Sequence, residues 1–180
     1  LKPSVLGVGY FGIGKHVSSI GGKPTKCHNT WRAMIRRCYS KEISKNLSTY
    51  KECFVIKEWK CFQVFGDWFE ENWKPWMDSS WQLDKDILTK GNKIYSPETC
   101  CFVPPQINSL FVKSNSIRGK YPIGVTKSGN RFAACIYKYG EPFDLGTFLT
   151  PEGAFYTYKI EKELHIKEVA DKWRGQITEP

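Results

Sequence analysis

The sequence predicts an α+β protein, and three patterns carry the prediction. Apolar residues recur at helical spacing through the first 80 residues. A strand–turn–strand–helix order runs from Trp81 to Phe111, WQLDKDILTKGNKIYSPETCCFVPPQINSLF. Three strand-like runs and one long helical pattern then close the chain. With 180 residues there is room for one or two small domains with a real core. A hydrophobic content of 41% with 15% aromatics excludes a disordered chain.

Several classes drop out on composition. No apolar run approaches the roughly 18 residues that span a bilayer, and no signal-peptide pattern opens the chain, so no membrane partner and a cytoplasmic location are expected. The first residue is not methionine, which points to a trimmed N-terminus. Seven cysteines, an odd number without a C-x-x-C pair, point to a reducing interior and no zinc. The net charge of +9 is unevenly spread: Leu1 to Lys41 carries eight Lys or Arg and no acid, and Val112 to Gly140 carries six and no acid. Two basic surfaces flanking the middle of the chain point to nucleic acid. Nothing in the sequence indicates a protein partner.

The elements follow in order. Leu1 to Gly22 is glycine-rich and reads as a short strand in a flexible basic arm. It lacks the strand and helix that would make its glycines a dinucleotide fingerprint. Asn29 is placed to cap a helix through Tyr39, with Trp31, Met34, Ile35 and Cys38 as its inward stripe. Arg32, Arg36 and Arg37 lie off that stripe, where planar guanidinium forks suit phosphate oxygens. His28 beside the cap reads as a surface histidine. Cys53 to Ile56 is a short strand, and Lys57 to Asn72 a second helix with a wide apolar band through Trp59, Phe62, Phe65 and Phe69.

In the central stretch, Asp84, Lys85 and Asp86 sit at the end of a first strand. Alternation puts the two carboxylates on one face and Lys85 on the other. Gly91-Asn92 makes a turn, Thr99 to Val103 a second strand, and Pro104-Pro105 the first turn of a helix carrying Asn108. Spacing alone is equally the pattern of strand-end surface charges. Beyond a polar linker, the runs Tyr121–Thr126, Arg131–Tyr137 and Pro142–Phe148 form a sheet, with Phe132, Ala134 and Ile136 on its core face. A helix from Thr150-Pro151 to about Trp173 packs on it through Ile166, Val169, Ala170 and Trp173.

LDKDIL and GNKIYSPETCCFVPPQIN together resemble the ββα-metal motif of HNH endonucleases. The run from PIGVTKSGNRF to LGTF resembles the AP2 or integrase-type DNA-binding domain that accompanies it in phage-type proteins. The resemblance implies residues 1–80 as a basic helical region, 81–112 as the HNH-like unit, 113–119 as a linker and 120–180 as the AP2-like domain. It implies Asp84 and Asn108 as ligands of one Mg²⁺ or Mn²⁺, Asn92 as the loop asparagine, double-stranded DNA as the partner, and a hydrolytic cut in it. Asp86 is a further candidate ligand by its strand face.

One position departs from the family, whose catalytic histidine is Lys85 here. A histidine takes a proton at neutral pH, whereas a lysine near its reference pKa of about 10.4 is already protonated. Lys85 is therefore expected to clamp phosphate charge. On the C-terminal sheet Arg131 is expected to read bases, with Lys127 and Lys138 beside it. Arg118 and Lys120 are expected to reach phosphate from the linker, and Arg32, Arg36 and Arg37 from the first helix. Two functions follow from the resemblance: an endonuclease or nickase of phage or homing type, acting in the infected bacterial cell, and a catalytically silent DNA-binding, regulatory or counter-defence protein on the same scaffold.

Overall fold

The computed structural model describes residues 2–46, 50, 52–111 and 119–176. Two compact units divide the chain, Leu1–Pro105 and Gln106–Pro180. Both mix helices with small sheets, as the α+β prediction requires. The predicted linker falls outside the described residues except for Gly119.

The first unit opens with a segment that is packed down and not a free arm. Val5 bridges Gly9, and Tyr10 bridges Cys61. Gly9 lies against the Trp31 indole so closely that a Cβ would sit 2.9 Å from Cζ2. A two-residue turn at Gly21-Gly22, with φ of +56° and +76°, joins β1 (Ser19–Ile20) to β2 (Lys23–Pro24). Only glycine takes such a pair of left-handed conformations without strain.

Helix α1 (Lys26–Tyr39) starts earlier than its apolar stripe predicts. Thr25, not Asn29, is the cap, and its hydroxyl accepts from the His28 N–H at 3.2 Å. Lys26-Cys27-His28 show no helical apolar period, so the first turn left no trace in the pattern. Trp31, Met34 and Ile35 are fully buried, as their spacing predicts. Helix α2 (Lys41–Asn46) and strand β3 (Phe54–Val55) follow.

The expected helix from Lys57 is interrupted. A single 3-10 turn, Glu58–Lys60, ends at Cys61, whose backbone is extended, and α3 (Phe62–Asn72) starts afresh. The cause is Tyr10, which donates its N–H to the Lys60 carbonyl at 3.0 Å and accepts from the Phe62 N–H at 2.9 Å. Trp59, Phe62, Phe65, Trp68 and Phe69 stack at centroid spacings of 4.7–6.2 Å with Trp31, Trp73 and Phe102. The Trp31 indole N–H donates to the Trp59 carbonyl at 2.9 Å, tying α1 to the 3-10 turn. Such pairs contribute about 0.5–1.5 kcal/mol each beyond their buried area.

Strand β4 (Gln82–Asp84) pairs antiparallel with β6 (Cys101–Val103), Asp84 opposite Cys101. Between them β5 (Ile94–Tyr95) leaves that hairpin and runs parallel to β3. The predicted second strand therefore begins at Cys101, because Thr99 turns its hydroxyl back to the Ile94 carbonyl at 2.9 Å.

The second unit holds α4 (Pro105–Leu110, with its first residue in the other unit), a sheet of β7 (Val125–Ser128), β8 (Arg131–Lys138) and β9 (Glu141–Phe148), and α5 (Pro151–Trp173). The sheet is antiparallel in the order β7-β8-β9. Its first strand starts later than predicted, since Pro122 accepts from the Val125 N–H and Gly124, at φ +78°, turns the chain. Val125, Ala134 and Ala154 centre the core, with Phe132, Leu145, Phe148 and Phe155 against it.

Helix α5 is capped by Thr150, as expected, and buries Val169 of the predicted stripe, but with Ala154, Tyr158 and His165 in place of Ile166 and Ala170. Ile166 is 42% exposed, and Ala170 also faces outward. Among the described residues no helix is long and apolar enough to cross a membrane, and all seven cysteines are free thiols.

Candidate functional site

The end of β4 and the loop after it form a hydrogen-bonded knot. Asp84 turns one carboxylate oxygen, Oδ1, onto the backbone N–H groups of Asp86 (2.6 Å) and Ile87 (2.8 Å). Two N–H donors on one oxygen fix the rotamer and close the turn. Asn92 closes the loop from the other side. Its side-chain amide donates to the carbonyls of Lys85 (2.8 Å) and Ile94 (2.6 Å), and its Oδ1 accepts from the Ile94 N–H at 3.1 Å.

Lys85 is the centre of the knot. Its side chain is 4% exposed, with the ammonium 2.5 Å from an Asp86 carboxylate oxygen and 2.8 Å from the Asn92 carbonyl. The Tyr95 ring lies 5.8 Å from the same nitrogen. The expectation of a surface clamp on phosphate does not match this burial: the charge is spent inside the protein. Leaving water demands such partners, because an unpaired buried ammonium carries a desolvation penalty of several kcal/mol.

Asp84 and Asp86 are both half-buried, and among the described residues the hydrogen bonds to each fall on one carboxylate oxygen. Asn108 is half-buried on α4, within the second unit. Gln106 on the same helix accepts from Lys172 and from the Trp173 indole, both at 3.1 Å.

The basic residues separate into distinct environments. Arg32 and Arg36 are exposed, and among the described residues neither is ion-paired. Arg37 does not face solvent with them. It lies over the Tyr50 ring and reaches the Leu83 carbonyl at 3.4 Å. Burial pushes its pKa down, but Tyr95 and Tyr50 outweigh it, and the net direction is upward.

On the C-terminal sheet, cross-strand partners share a face. Arg131 opposes Ser128 on the open face, with Ala133, Cys135 and a 69% exposed Tyr137. Lys127 opposes Phe132 and is exposed on the other face. Lys138 also belongs to the helix side, where it pairs with Glu161 of α5. Arg131 thus stands apart from the two lysines expected beside it. Lys120 is exposed, and Arg118 lies outside the described residues.

Sequence reading missed two features. His16 Nε2 lies 2.8 Å from Asp67, and Lys15 pairs with Glu70 at 2.5 Å. His16, Asp67 and Glu70 offer atoms within 4.8 Å of one another. The network joins the N-terminal segment to α3, which no local pattern signals. His28 is the second. Expected at the surface, it is buried among Phe11, Trp31 and Phe62.

No protein-family model, curated protein or solved structure matches this chain.

Proposed function

We propose that this protein is a metal-dependent DNA endonuclease or nickase of the HNH type. The observation that carries the reading is the β4 hairpin end: Asp84 held by two backbone N–H groups, with Asn92 stapling the loop that follows. The remaining oxygens of Asp84 and Asp86 are hard donors of the kind Mg²⁺ and Mn²⁺ take. A bound divalent cation would supply Lewis-acid polarisation of a scissile phosphate. Asp84 and Asp86 would hold it, the Asn92 staple would keep their turn rigid, Arg131 would read base edges, and Lys120, Arg32 and Arg36 would position the DNA backbone.

One observation favours a second reading, a DNA-binding protein that does not cut. Lys85, at the place of the family's proton acceptor, is buried and already neutralised by Asp86. The test is a nicking assay on supercoiled plasmid with Mg²⁺ or Mn²⁺. Under the first reading wild type nicks, and Asp84→Ala loses cutting by more than about a hundredfold while retaining binding. Uncut plasmid with intact binding selects the second. Under that reading, Lys85→His is the variant to examine for a gain of activity.

A further inference from the structure

A pocket of about 320 Å³ opens between the N-terminal turn and α1, lined by Ser4, Leu6, Phe11, His28, Arg32 and Arg36 among others. We propose that it binds a nucleotide unit, its phosphate held by Arg32 and Arg36 and its base laid against Phe11.

Four observations converge. His28, Arg32 and Arg36 are spaced i, i+4, i+8, so α1 presents them as one row. Neither guanidinium has an ion-pair partner among the described residues. His28 is only 8% exposed, yet neither ring nitrogen has a hydrogen-bond partner among the described residues. Buried polar atoms are rarely left so, which sets this wall residue apart from the core around it. Phe11, 39% exposed, offers a ring face beside the imidazole, 5.6 Å between centroids.

The chemistry selects the ligand. Two free guanidinium forks match a phosphate dianion. Burial, and next the Arg32 charge, hold the His28 pKa below its ordinary value. A ring held toward its neutral form offers no second anion site, so the phosphate falls to the two arginines. The volume fits one nucleotide. A phosphodiester within a duplex stays on the duplex surface, whereas a free nucleotide or a frayed strand end can enter.

The proposal stands on the pocket and not on the cleavage reading, so it is tested in EDTA. Full-length protein is titrated with dAMP, inorganic phosphate, and a short single strand with and without a 5′-phosphate, followed by calorimetry and His28 ring NMR shifts. Binding of dAMP or of the phosphorylated strand is expected, with the His28 signals moving. Arg32→Ala/Arg36→Ala should weaken it by at least about tenfold. Those side chains are exposed, so that variant keeps the fold should His28→Phe fail to. Saturation by dAMP identifies a free nucleotide, and by the phosphorylated strand alone a strand end. Phosphate binding as tightly as dAMP would overturn the role of Phe11. No binding in any arm, or binding unchanged in the arginine variant, would overturn the proposal.

Discussion

Asn92 shows how much one side chain can organise. Its amide and carbonyl make three hydrogen bonds that hold both ends of the β4–β5 loop. Asn92→Ala would leave the Lys85 and Ile94 backbone groups unsatisfied at about 1–3 kcal/mol for each one that water cannot reach. A loss of about 2–4 kcal/mol is expected in urea unfolding; a midpoint unchanged from wild type would show that the loop holds without it. The sequence marked Asn92 through its Gly-Asn turn and through the resemblance that made it the loop asparagine, not through these bonds. The opposite case is Lys85, where strand alternation indicated a separate face but not burial. Burial depends on Asp86 and Tyr95 converging on it, and Tyr95 is positioned by the parallel pairing of β5 with distant β3.

Among the elements, the long periodic ones were readable and their edges were not. The core face of β8 and the Thr150 cap of α5 follow from alternation and from Thr-Pro chemistry. The α5 stripe keeps Val169 but runs through His165 and not Ile166 or Ala170, in line with Tyr158 and Ala154 in its first half. The early break at Cys61 follows from Tyr10, some fifty positions away, which no local pattern registers. The turn before β7 gives the sharpest test. Gly124 sits at φ +78°, and a Cβ there would overlap the Tyr158 ring. Gly124→Ala is expected to lower second-unit stability by about 2–4 kcal/mol through backbone strain and overpacking together. Hydrogen exchange resolved by unit reads this directly; protection in β7 and β8 equal to wild type would refute it.

At the scale of the whole molecule, the two units differ in what they bury. Burial pushes the thiols of Cys27, Cys38 and Cys100 up to about 12 and that of Cys101 up to about 11, from an ordinary value of 9.0. All four lie in the first unit. A thiol pKa raised by folding means the folded state keeps a proton that the unfolded state releases. The stability these groups contribute is whole below about pH 9 and falls as pH rises from there toward 12. Tryptophan fluorescence, dominated by the six first-unit tryptophans of the seven in the chain, should show a melting temperature falling above pH 9. Cys100→Ala should flatten that fall. Fast reaction of these four thiols with a disulfide reagent in native protein at pH 8 would contradict it.

The enclosed ammonium of Lys85 also limits what position 85 can become. A side chain that neutralises Asp86 and caps the Asn92 carbonyl belongs to the scaffold. An imidazole placed there is shorter and strands both partners, so Lys85→His carries a folding cost, and its unfolding midpoint has to be read beside its nicking rate.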